Sequence, residues 1–249
     1  MLNFSSEMGR QLMQNGAEIY RVEESIRLLL AAYGFEETEV FAIPAMIMMT
    51  IRDDGHNYTR VIRVRDTANN LKKLHRLNTL CRDLCREKPP YEEMERRFQE
   101  VLSEPRYPWI VTFLAHGLVA FFYTFFWGGG LPEAMVAFPC GLLVSSSVSS
   151  MRKVRANVFF TNLVTSALAA LPPLLTALVY SPLQADRVII GTIMLLVPGI
   201  AITNVMRDVL AGDFVTAVSR FAEVLIVAMG ISLGVAMAIT VTRLIAVGL

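Results

Sequence analysis

The formal charges of this chain are crowded into its first part. Residues 1–108 hold 16 Lys/Arg and 17 Asp/Glu, which is 33 of the 45 charges, and the remaining 141 residues hold 12. Two stretches so different in polarity belong in different solvents. Over the whole chain 54% of residues are hydrophobic, more than an ordinary soluble domain carries. The net charge of +1 comes without a basic patch, so no nucleic-acid partner is expected. The first thirty residues carry Glu7, Arg10, Glu18, Arg21, Glu23, Glu24 and Arg27, a pattern foreign to a signal peptide.

The first part, residues 1–108, reads as a small α+β domain. Phe4 to Gln14 and Glu18 to Tyr33 have helical periodicity, with Ile19, Val22, Ile26, Leu29 and Leu30 on one stripe and Asn15-Gly16 between the two helices. Three strand-like runs follow: Thr38 to Ile43 closed by Pro44, Ala45 to Ile51, and Tyr58 to Val64. Asp54-Gly55 between the last two is a hairpin signal. A helix from about Asn69 to Arg86 and a short charged one from Tyr91 to Leu102 complete it.

The second part, residues 109–249, reads as a five-helix transmembrane domain. The expected spans are Trp109 to Trp127, Glu133 to Ser150, Ala156 to Tyr180, Arg187 to about Thr203, and Phe214 to Thr242. Trp109 and Trp127 would lie about 27 Å apart along a helix, a spacing suited to interface anchors. Arg152, Lys153 and Arg155 follow span two and Arg207 follows span four, whereas the opposite loops and the tail hold only Arg187 and Arg243. The bias of basic residues toward the cytoplasm then predicts a multi-pass inner-membrane protein with its N-terminal domain inside and Leu249 outside. An odd span count suits a partner unit in the inverted orientation.

The candidate transport residues cluster between spans four and five. Pro198 removes a backbone donor and Gly199 tolerates unusual dihedrals, so the fourth helix can break there. Beyond the break, Asn204 and Asp208 are spaced i,i+4 and share a face, while Thr203 and Arg207 share the neighbouring one. An amide, a carboxylate, a hydroxyl and a guanidinium around one short helix suit a polar or anionic small-molecule substrate. The competing reading is an ordinary solvated connection. Asp213, after Gly212, is placed to cap the next helix, with a proton or substrate role as the alternative. Glu223 falls about 15 Å along the fifth helix, where a carboxylate would serve as a proton carrier unless it pairs with Arg220 near the interface. The hydroxyl residues of the spans read as packing groups, and so does His116. Cys81, Cys85 and Cys140 form no ligand cluster and read as reduced thiols, so neither metal nor cofactor is expected. Glu18, Arg21, Glu23 and Glu24 offer paired carboxylates without a hydrolase, zinc or phosphate-loop pattern, which argues against an enzyme and for a gating or assembly role, or a solvated face.

Two blocks carry a family resemblance. Asn15-Gly16-Ala17-Glu18-Ile19-Tyr20-Arg21-Val22-Glu23-Glu24 opens the first, continued by the strand ending at Pro44 and by Arg63, Asn70-Leu71 and Leu74. Pro198-Gly199 with Asn204, Asp208 and Gly212-Asp213 forms the second. Together they resemble the threonine/serine exporter family, in order, over nearly the whole chain. Full-length members join such a soluble domain to about ten spans. Five spans therefore resemble the larger subunit of the split, two-component form, whose small membrane partner carries the other half. One such system is associated with succinate export, the single-chain members with threonine and serine. The resemblance implies a secondary exporter, ion or proton coupled, in the lipid bilayer with that partner subunit, the oligomer count being open. The alternative from another class is a membrane-anchored sensor whose spans only hold the soluble domain in place.

Overall fold

The computed structural model describes residues 1–65, 68–105, 107–180 and 182–248. Leu249, expected outside the cell, lies beyond the described residues. The chain divides into two compact units. The first comprises the N-terminal residues to Pro105 together with Asn204–Ser219, and the second holds the remaining apolar helices.

In the first unit, helices α1 (Leu2–Gln14) and α2 (Ile19–Ala32) precede strands β1 (Thr38–Ile43), β2 (Met46–Asp53) and β3 (His56–Arg63), then α3 (Leu71–Glu87) and α4 (Tyr91–Ser103). The sheet is antiparallel in the order β1-β2-β3. Asp53 pairs with His56, and both residues of the intervening turn, Asp54 and Gly55, have positive φ, which is why Asp-Gly serves there. Period-two alternation sends Ile47, Met49 and Ile51 of β2 into the core with Val40 and Ala42 of β1. They join Phe4, Met8 and Leu12 of α1, Val22, Ile26 and Leu29 of α2, Leu77 and Leu84 of α3, and Phe98 of α4. Each fully buried aliphatic side chain contributes about 1.5–3 kcal/mol. Gly9 lets α1 approach closely: a Cβ there would stand 2.4 Å from Cδ1 of Ile26.

In the second unit, α5 (Trp109–Phe126), α6 (Leu131–Lys153) and α7 (Val158–Val179) follow one another through short connections. Next come α8 (Ala185–Ile193) and α9 (Gly199–Leu210), and α10 (Phe214–Gly248) ends the described chain. α9 and α10 each contribute residues to both units. Among the described residues four helices, α5, α6, α7 and α10, are long and apolar enough to cross a membrane, with mean hydropathy from 1.5 to 2.5. The expected fourth span is divided instead between α8 and α9, with the interruption ending at Pro198. Pro198 cannot donate to the helical ladder and its ring crowds the carbonyl four residues back. Pro172 and Pro173, by contrast, lie inside a continuous α7.

Small residues set the helix contacts. A Cβ on Gly141 of α6 would meet the His116 carbonyl of α5 at 2.4 Å, and one on Gly234 of α10 would meet the Leu163 carbonyl of α7 at 2.2 Å. Hydroxyls add to this packing. Ser147 of α6 and Thr165 of α7 are 2.8 Å apart, and Ser166 of α7 donates to the Ile231 carbonyl of α10. Glu133 accepts from the backbone N–H groups of Gly130 and Gln184, which ties the α5–α6 turn to the α7–α8 connection and sets both at one end.

Candidate functional site

The first motif block is a folding junction as much as a site. Gly16 has φ +95°, and a Cβ on it would press within 2.7 Å of the Asn69 side chain. Asn15 accepts the backbone N–H of Asn70 through its carbonyl, Ala68 donates to the Gln14 carbonyl, and the Asn70 side chain caps α3 by accepting from the Lys73 N–H. Asn15-Gly16 and Asn70 thus stitch the α1–α2 turn to the start of α3.

Glu18 is the N-cap residue of α2. Its carboxylate lies 2.9 Å from Arg21 and also forms an ion pair with Arg207 of α9. The Glu18 side chain is 13% exposed and that of Arg207 46%, so the acid is enclosed while the guanidinium keeps an open side. Glu23, one helical turn on, accepts a 2.7 Å hydrogen bond from the Ala42 N–H. Burial raises the Glu23 pKa, the Ala42 N–H and Arg27 pull it back, and the charge of Asp213 pushes it up again. The two motif blocks, far apart in sequence, therefore meet within the first unit. Glu24 is exposed, and Arg21 lies 5.9 Å from the Tyr20 ring centroid.

The α9–α10 corner is built by two interlocking caps. The Asp213 N–H donates to the Asp208 carbonyl and the Gly212 N–H to that of Val209, with Gly212 at φ +81°, which is a Schellman ending. Asp213 then opens α10 by accepting the Thr216 N–H at 3.2 Å. Thr216 itself is fully buried. Its sequence signal is its spacing, three residues after a capping aspartate.

Asn204 and Asp208 share a face of α9 as their spacing requires, and that face is the covered one: Asp208 is 2% exposed and Asn204 is half-buried. Arg207 points to Glu18. The Thr203 hydroxyl donates to the Gly199 carbonyl and is satisfied within the helix. Gly199 is the first residue of α9, and Pro198 directly precedes it. Glu223 stands apart, exposed on α10 about 14 Å from the first residue of that helix. Among the described residues no group of three or more metal-ligating side chains is brought together.

Comparison with known proteins decides the family. Residues 3–242 match the family described as "Putative threonine/serine exporter". The chain belongs to the threonine/serine exporter family. Among its relatives, the "Threonine/serine exporter" of Corynebacterium glutamicum is 25% identical over 258 residues, covering 98% of this chain and 52% of that protein. The "Probable succinate transporter subunit YjjP" of Klebsiella aerogenes is 25% identical over 233 residues, covering 92% of this chain and 89% of the relative. Its counterpart in Escherichia coli K12 is 24% identical over 244 residues, covering 94% and 92%. The chain thus spans about half the length of the first of these relatives and nearly all of the other two. No solved structure matches it. Family and apolar helices together make this exporter-family chain a multi-pass membrane protein.

Proposed function

We propose that this chain is one subunit of a two-component secondary exporter of small carboxylate-bearing metabolites, of the threonine/serine or dicarboxylate kind. The observation that carries the reading is the interrupted α8–α9 segment, which delivers Asn204, Arg207 and Asp208 just past a helix break. Broken helices at membrane depth are tolerated beside a cavity, and their ends with nearby polar side chains build binding sites in transporters. A sensor that only needed anchoring would have no use for the break.

In this reading α8 and the start of α9 make the fourth of five crossings. Residues 1–108 form a cytoplasmic domain and residues 109–249 the membrane domain of an inner-membrane protein. The basic loop after α6 supports this side. So does the joining by Glu133 of the α5–α6 and α7–α8 connections at one end. The near-complete coverage of two relatives named as transporter subunits supports a partner carrying the second membrane half. Glu223 and Asp213 are the proposed proton-coupling carboxylates, and the cytoplasmic domain acts through contact with the α9–α10 corner rather than as an enzyme.

Efflux from vesicles tests this. Vesicles holding the chain with a five-span partner should export labelled threonine or succinate, and vesicles holding either protein alone should not. Efflux from vesicles containing this chain alone would refute the two-component reading. A reporter near Glu104 scoring as extracytoplasmic would refute the orientation.

A further inference from the structure

Glu18 sits on Arg207 in the same way that a substrate carboxylate would. The guanidinium offers a planar fork that matches a carboxylate. In this structure one arm of that fork, Nη1, is paired with Oε1 of an acid at the start of another helix of the same unit. The exposures of the two groups differ in a telling direction. Arg207 keeps nearly half of its side chain open, so a dissolved carboxylate can reach it, whereas Glu18 is enclosed. Glu18 also has a second cation, Arg21, at 2.9 Å. Withdrawing Arg207 therefore does not strand a buried charge, which would cost several kcal/mol.

We propose that Glu18 is a specificity-determining residue, an internal competitor that a substrate carboxylate must displace from Arg207 before export. This rests on the reading that α9 lines the substrate path. The exchange conserves charge on both sides. Arg207 trades one carboxylate for another, and Glu18 falls back on Arg21. A neutral analogue gains nothing comparable, because it would open the ion pair without replacing it. The competitor thus selects against uncharged solutes of similar size, an instance of discrimination by penalising the wrong ligand. Because Glu18 begins α2 and Glu23 of the same helix is bonded to β1, displacing Glu18 is also felt by the soluble domain.

The test is efflux from vesicles containing the complete exporter, loaded with graded concentrations of labelled succinate or threonine. Glu18→Gln keeps the side chain's size and removes its charge. It should lower KM about three- to fivefold, the scale of a partly exposed ion pair. It should also let the uncharged diol and amide analogues of the substrate leave faster than they do through the native protein. Glu18→Asp retracts the carboxylate and should lower KM in the same direction by less, and it decides the matter if Glu18→Gln does not accumulate. Arg207→Gln should raise KM at least tenfold or abolish efflux. An unchanged or raised KM in the Glu18 variants, with Arg207→Gln still defective, overturns the competitor and leaves the α9 site standing. A native KM in Arg207→Gln overturns the α9 site itself.

Discussion

The Glu23 carboxylate accepts the backbone N–H of Ala42 at 2.7 Å and so fastens α2 to the end of strand β1. Burial lifts its pKa above the ordinary 4.5. The folded chain then holds a proton on Glu23 more tightly than the unfolded chain does. The resulting stabilisation is fully present below the unfolded pKa and is lost as pH rises through the raised folded value. Glu23→Gln can still accept from Ala42 and cannot ionise. Thermal unfolding in detergent should show that this variant loses less stability than the native protein between pH 4 and pH 7. Glu23→Ala should lose about 1–3 kcal/mol at every pH, because the Ala42 N–H is left without its acceptor. A Glu23→Gln variant with the full native pH slope would contradict this.

The thiols of α3 should differ sharply in reactivity. The Cys81 thiol one turn back on α3, which donates to the Ser25 carbonyl, and Lys88 together hold the Cys85 thiol down to about 7 against the effect of burial. Cys85 and burial in turn push Cys81 up. Thiolate is the reactive form. Iodoacetamide at pH 7 should label Cys85 first, and Cys81→Ala should slow that labelling by shifting its midpoint toward higher pH. Equal labelling of Cys81 and Cys85 in the native chain would refute the arrangement.

Glycines separate packing from motion. A Cβ on Gly234 would stand 2.1 Å from the Ser166 hydroxyl, whereas one on Gly199 meets nothing within 4 Å. Gly234→Ala should therefore force α10 from α7 and lower the melting temperature in detergent. Gly199→Ala should keep the native melting temperature, and any loss of export in that variant would report on the helix break itself. Equal melting temperatures for both variants would contradict the close approach.

Asp213 is bound to the Thr216 N–H, which an asparagine can replace. Asp213→Ala should cost about 1 kcal/mol of stability by losing the cap. Asp213→Asn should keep it, so its export rate reports on the charge alone. Asp213 is proposed, together with Glu223, as a proton-coupling group, so Asp213→Asn should fold normally and lose the dependence of export on a proton gradient. Gradient-driven export at the native rate would leave Glu223 as the remaining carboxylate of that pair.

Much of this fold is legible because local physics determines it. The strand at Thr38–Ile43 ends where Pro44 removes a donor, Asp54-Gly55 supplies the positive φ of the hairpin, and Pro198 stands in the break directly before α9. The break of the fourth span at Pro198-Gly199 is legible in the sequence, but the helical ladder already stops after Ile193, because the proline ring crowds the turn before it, and among the described residues this leaves four long helices and a divided segment. The pairing of Glu18 with Arg207 had no local signal. Both residues were visible as candidates, but their meeting depends on how the first unit gathers Asn204–Ser219 beside α2, which periodicity does not encode. Asn15-Gly16 was legible as a motif, while its reason, the approach of Asn69 and Asn70, is tertiary.

The central claim is that α9 lines the path of a carboxylate-bearing substrate, and Asp208 tests it most directly. Its side chain is buried on the covered face of α9 that also carries Asn204. The measurement is the efflux rate of labelled threonine or succinate from vesicles holding the complete exporter at matched protein levels, for native, Asp208→Asn and Asp208→Ala chains. The account predicts that both variants assemble and that Asp208→Ala exports at less than about a tenth of the native rate, the scale of about 1.4 kcal/mol lost from substrate handling. Native export by Asp208→Ala, with the variant folded and assembled, would contradict it.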